Sequence, residues 1–174
     1  MAAQAPLITI EEYLRTSYRP DVEFIDGHLQ EKSVGTWDHG FIQGLIFAWF
    51  LGHRQEWNVL PSLEVRTRVS NAHVRLPDVV VDWAGLHPPV LVKAPLLAIE
   101  VLSPSDSYSE LRKRAKDYQT MGIKHIWLID PETRTAQACE GAFWVERERL
   151  EVEGTAIYLD VVALFAALET GDPL

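Results

Sequence analysis

Two acids stand where acids are costly. Asp78 opens the run "DVVVDW" at 78–83, directly after Pro77, and Glu100 lies inside the aliphatic run of "LLAIEVLSPSD" at 96–106. A carboxylate in such a run must be paired, protonated or bound to a cation. Alternation along a strand puts Glu100 with Ala98 and Leu102, and Asp78 with Val80 and Asp82, opposite to the Val79, Val81, Trp83 set. A loop with three prolines separates the runs and suits strands that pair. Two such carboxylates together repel unless a cation lies between them. A hard divalent cation takes oxygen ligands, and at two acids it can activate water and polarise a phosphoryl oxygen. The plainer reading keeps Asp78 as a turn residue and Glu100 as the partner of an arginine from a neighbouring helix.

The elements that must position these acids are legible around them. Thr9 and Glu12 form a capping box over a short helix at 9–16, and Asp26-Gly27 marks a hairpin. A longer helix is expected over about 37–55, its apolar residues Phe41, Leu45, Ile46, Trp49 and Phe50 at helical spacing. Strands follow in "WNVLPS", "LEVRTRV" and "PDVVVDW". Ser107 and Glu110 form a second capping box, opening a helix that runs to about Met121 and stops at Gly122. "KHIWLID" is a further strand, so 96–130 is a strand–helix–strand crossover with a parallel pair. A hairpin turning at Gly141 and a short amphipathic helix, "VVALFAAL", complete the chain. The fold class is α/β (α+β), with a mixed central sheet. All 174 residues are read as one domain: helix and hairpin at about 8–33, core at about 37–135, hairpin and helix at about 134–168.

Composition narrows the function classes. Apolar content of 47% with 24% charged residues is that of a soluble globular protein. The one cysteine, Cys139, excludes an internal disulfide framework and a cysteine zinc site. The start shows no basic-then-apolar leader and the most apolar window is too short to span a bilayer, so no membrane role and a cytoplasmic location are expected. The net charge of −9 opposes capture of nucleic acid by its phosphates. Arg66, Arg68 and Arg75, with "RKRAK" at 112–116, are candidates for a local basic face. The aromatic stripe at 41–50 reads first as core and leaves room for a homodimer interface.

In order along the chain, "EEYLRTSYRPDVEFIDGHL", "RLPDVVV", "LLAIEVLSPSD" and "SELRKRAKDYQTMGIKHIWLIDP" resemble the Uma-type restriction endonuclease family of the PD-(D/E)XK nuclease superfamily. The resemblance covers roughly residues 8–135 and implies a restriction-endonuclease-like core. It implies that Asp78, Glu100 and the main-chain carbonyl of Val101 ligate Mg²⁺ or Mn²⁺, with Glu23 an acidic companion. The superfamily's lysine after the glutamate is absent, since position 102 is Leu. The family's substitute, four residues before the helix tyrosine, is Arg114 here. A helical wheel puts Leu111, Ala115, Tyr118 and Gly122 inward, Arg114 on their edge, and Lys113 and Lys116 away. Arg stabilises phosphate charge and cannot act as a base. An ion pair of Arg114 with Glu100 or Glu23 is the competing role.

Glu64 is a weaker candidate, expected as an exposed strand residue. His39 either approaches a substrate phosphate or lies on the surface. The implied function is a metal-dependent endonuclease acting on DNA, with Arg114 stabilising the phosphate. The alternative is a nuclease-fold module that binds without cleaving. A third reading is a phosphoesterase for small substrates.

Overall fold

The computed structural model describes residues 7–32, 35–172 and 174. The start of the chain at 1–6 and the hairpin's end at 33 therefore lie outside the described residues. Thr9 caps α1 (Ile10–Arg15), its hydroxyl accepting the Glu12 N–H at 3.1 Å. β1 (Val22–Ile25) and β2 (His28–Glu31) are joined by Asp26 and Gly27 at φ 49° and 83°. Two successive positive φ angles match the right-handed twist of a tight hairpin, which is why Asp-Gly is favoured there. Thr36 caps α2 (Trp37–Gly52), which breaks at His53 and resumes as a single turn, α3 (Arg54–Trp57). One continuous helix over 37–55 was expected, and the chain instead makes two.

The middle of the chain supplies β3 (Val59–Leu63), β4 (Thr67–Arg68), β5 (His73–Arg75), β6 (Val79–Trp83) and β7 (Leu97–Val101). Only two residues of the run 63–69 form β4, because Glu64 at φ 49° turns the backbone. α4 (Tyr108–Met121) is capped by Ser107 and ended by Gly122 at φ 99°. β8 (His125–Asp130), β9 (Thr135–Glu140) and β10 (Phe143–Glu146) follow, then β11 (Arg149–Glu151), β12 (Tyr158–Asp160) and α5 (Val161–Thr170). The β11–β12 hairpin was not anticipated.

A six-stranded mixed sheet runs β10-β9-β8-β7-β6-β3, with β7 and β8 parallel through the α4 crossover and the other pairs antiparallel. A four-stranded sheet runs β2-β1-β5-β4. One face of the larger sheet carries Val79, Val81, Leu97, Ile99, Val101, Trp127 and Ile129 into the main core, against α2 and α5. Leu45, Ile46 and Phe50 of the aromatic stripe are buried in this core, and Phe41 and Trp49 pack against it. Ala98 and Ile126 on the opposite face meet Ala115 and Tyr118 of α4. The acids at positions 78 and 100 lie on this α4 face, between a packed sheet and a packed helix. Among the described residues, no helix is long and apolar enough to cross a membrane.

Candidate active site

β6 and β7 pair with Val79 opposite Ile99 and Val80 opposite Ala98. One step further along that register Asp78 faces Glu100, and the Val101 N–H donates to Asp78 Oδ2 at 2.7 Å. Directly opposed residues share a face, with Cβ atoms typically about 5 Å apart. Both are almost fully buried, at 1% and 3% exposure. Burial pushes the Asp78 carboxyl up, but the His39 hydrogen bond and the Lys32 charge outweigh it and hold Asp78 at about 2. Burial, then the Asp78 charge, push Glu100 up to about 7, against the pull of Arg114, Lys32 and Tyr118.

Each acid has its own set of donors. Lys32, at the end of β2, places Nζ 2.7 Å from Asp78 Oδ1 and 2.9 Å from the Leu76 carbonyl. Its side chain is only 13% exposed. Burial would lower its pKa, but the charges of Asp78 and Glu100 raise it, so Lys32 stays an ammonium. His39 Nε2 lies 3.4 Å from Asp78 Oδ2, and that hydrogen bond raises the imidazole despite partial burial. Gln43 holds the Asp78 carbonyl at 2.9 Å. Arg114 Nη1 reaches Glu100 Oε2 at 3.4 Å and Asp106 Oδ1 at 3.5 Å. Tyr118 donates its hydroxyl to Glu100 Oε1. Lys113 and Lys116 face solvent, Lys113 on Glu110 at 2.6 Å.

Glu23 is placed differently. Its Oε2 pairs with Arg75 Nη1 at 2.7 Å and its Oε1 accepts the Leu76 N–H at 3.0 Å. The structure brings it into no hydrogen bond with Asp78 or Glu100, and its buried carboxylate anchors the smaller sheet. Arg75 continues to Asp117 of α4 at 2.7 Å. Of the candidates for a local basic face, Arg66, Arg68 and Arg75 are engaged within the fold, while Arg112, Lys113 and Lys116 are exposed on α4. Arg75 is buried in that network, Arg66 caps the carbonyls of Tyr13, Leu14 and Thr16, and Arg68 holds Ser70 and Asn71. Glu64 is exposed, as expected, with Oε1 3.6 Å from Lys32 Nζ.

Sequence reasoning missed Lys32 altogether and left His39 open. Every residue of β2 is exposed, so no alternation singles out the position that follows it. Thr36 capping α2 at the His39 N–H, 3.3 Å away, is the local signal that fixes His39. Asp106 was also unassigned: it accepts both the N–H and the hydroxyl of Ser103, which locks the S-P-S-D turn beside Arg114.

Lys32, His39, Asp78, Val101, Ser103, Asp106 and Arg114 line a cavity of about 10 Å³. That is on the order of one water-sized sphere. Among the described residues no three His, Cys, Asp or Glu side chains form a ready metal cluster. The donors nevertheless fit a hard divalent ion that keeps several waters: two opposed carboxylates, with Val101 alongside. Lys32 is the resident cation such an ion meets at Asp78.

Six solved chains match this chain. A crystal structure from Anabaena variabilis ATCC 29413, described as "a putative nuclease belonging to DUF820", is 24% identical and superposes with a TM-score of 0.80, covering 92% of this chain and 99% of that one. A DrdV–DNA complex solved by cryo-electron microscopy is 14% identical, with a TM-score of 0.40 over 75% of this chain and 11% of that one. That second likeness establishes neither fold nor partner. No curated protein matches the chain. The profile of the Uma2 family, described as "Putative restriction endonuclease", matches residues 10–167, in agreement with the fold and with the ordered motifs, and the chain belongs to that family.

Proposed function

We propose that the protein is a metal-dependent endonuclease that hydrolyses phosphodiester bonds in nucleic acid, with DNA as its substrate. The observation that carries this reading is the opposition of Asp78 and Glu100 on paired strands, with Lys32 and Arg114 closing a cavity of about 10 Å³ beside them. Asp78 and Glu100, with Val101, would hold Mg²⁺ or Mn²⁺. The ion would supply positive charge to a phosphoryl oxygen and a lowered pKa to water.

The protein's own groups divide the remaining work. Lys32 stays protonated, so it serves as a charge beside the reacting phosphate and not as a base. It stands where a cation is needed although position 102 is Leu and the helix position is Arg114. Arg114, fixed by Glu100 and Asp106, presents a second permanent charge to the phosphate. His39 orients Asp78 through Oδ2, and the Val101 N–H holds the same oxygen, so the carboxylate cannot swing. Tyr118 fixes Glu100. Glu23 acts one step back, setting Arg75 and the smaller sheet from which Lys32 projects.

A second reading is a nuclease-fold module that binds without cleaving. It is favoured by one observation: every oxygen of both acids already has a protein donor. Plasmid nicking separates the two. The nuclease reading expects relaxed circles with Mg²⁺ or Mn²⁺, none with chelator, and none from Asp78→Asn or Glu100→Gln. A folded wild-type protein that leaves plasmid and single-stranded circles intact with both ions overturns it.

A further inference from the structure

A groove of about 550 Å³ opens next to the cavity and shares Ser103 and Asp106 with it. Trp37, the first residue of α2, and Tyr108, the first residue of α4, both line it. They are 84% and 58% exposed. Neither ring is needed for the core, since the buried faces of both helices are made by other residues. Two exposed aromatic rings lining one groove beside the acids offer flat faces on which bases can stack. The lining carries four acids, Asp38, Asp106, Asp130 and Glu132, and no basic residue, with Asp38 and Glu132 exposed.

This combination selects among ligands. Carboxylates repel phosphate, so the groove does not suit the backbone of a duplex, which carries two charged strands. Carboxylates accept hydrogen bonds from the exocyclic amino groups of bases, and aromatic rings stack on base faces. A base can reach both only when unpaired, with its Watson–Crick edge open.

Resting on the nuclease reading, we propose that this groove is a base-binding subsite: Trp37 and Tyr108 stack an unpaired, amino-bearing nucleobase while its neighbouring phosphate lies at the mouth of the cavity lined by Asp78, Lys32 and Arg114. The substrate class is thereby narrowed to single-stranded or locally unpaired nucleic acid. Continuity of the groove with the cavity through Ser103 and Asp106 supplies the required proximity.

The test is fluorescence anisotropy in EDTA, where cleavage plays no part, with labelled 12-mers of cytidine and thymidine deoxynucleotides, a cytidine ribonucleotide 12-mer and a mixed duplex. The deoxycytidine strand is expected to bind at least about tenfold more tightly than the duplex, and more tightly than the thymidine strand. The RNA arm reports whether the sugar matters to the same subsite and is expected to follow the deoxycytidine strand. Trp37→Ala and Tyr108→Ala are each expected to weaken single-strand binding by roughly fivefold to a hundredfold, the range of one lost base–aromatic stack. Trp37→Phe should recover most of the loss, and Phe143→Ala, at an exposed aromatic away from the groove, should match wild type. Duplex bound as tightly as single strand, or wild-type affinity in both alanine variants, overturns the inference. If those results accompany metal-dependent nicking, the nuclease reading stands and the subsite falls. Aromatic-dependent single-strand binding with no cleavage under Mg²⁺ or Mn²⁺ leaves the subsite and removes the nuclease.

Discussion

Lys32 carries the greatest consequence per atom. On the proposed reading, its ammonium and a divalent ion compete for Asp78 Oδ1, and its charge faces the reacting phosphate. Lys32→Met leaves Asp78 buried with His39 and one backbone N–H as donors. Breaking a buried pair this way costs on the order of 3 kcal/mol. With the competitor gone, Mn²⁺ should bind more tightly and raise the melting temperature further than in wild type, while nicking falls. Melts with and without Mn²⁺ check this, and equal shifts in both proteins would show that Lys32 does not contest the metal position. Glu100 gives a pH signature in the metal-free protein. Its carboxyl moves from an ordinary 4.5 to about 7 on folding. A value raised by folding contributes stability that is complete below pH 4.5 and lost as pH rises through 7. Glu100→Gln lacks that dependence. In chelator, wild type should therefore lose on the order of 3 kcal/mol relative to Glu100→Gln between pH 4.5 and 8. Parallel stability curves from urea titrations across that range would contradict the burial and repulsion assigned to Glu100.

At the scale of elements, the site depends on the smaller sheet being clamped to α4. Arg75 on β5 joins Glu23 of β1 to Asp117 of α4, and His73 adds a second contact to Asp117 at 3.0 Å. Arg75→Met strands two acids, one of them buried, and should cost about 3 kcal/mol or more. It should also reduce nicking, since β2 carries Lys32, and Mn²⁺ should not repair the stability loss. Urea unfolding with and without Mn²⁺ reads both effects. This dependence marks the limit of what the sequence made legible. Alternation in 78–83 and 96–102 was enough to put Asp78 and Glu100 on one face, and the wheel over 108–121 was enough to aim Arg114 inward. Capping boxes and the Asp-Gly turn announced α1, α4 and the first hairpin because their signals are local. Lys32 was invisible because its role depends on how a fully exposed strand lies over Asp78, a tertiary fact. The three arginines at 66, 68 and 75 misled for the same reason: their partners lie on α1, β1, α4 and neighbouring turns. The β11–β12 hairpin escaped because charged residues at 149 and 151 flank a single buried one, Leu150.

For the whole molecule, charge sets the conditions of the reaction. A net charge of −9 gives little electrostatic attraction to duplex DNA, and the cations nearest the site are buried in pairs. On the proposed reading, affinity comes from base contacts and from the metal, in keeping with an acidic, aromatic groove next to the opposed carboxylates. The central claim is that those carboxylates hold a divalent ion. The most direct measurement is the anomalous difference map of a crystal soaked in Mn²⁺. The account predicts one peak between Asp78 and Glu100, at about 2.1–2.2 Å from an oxygen of each, with Lys32 Nζ displaced from Oδ1, and no such peak in Asp78→Asn. A map with no peak at that position, and Lys32 still on Asp78 at saturating Mn²⁺, would contradict it.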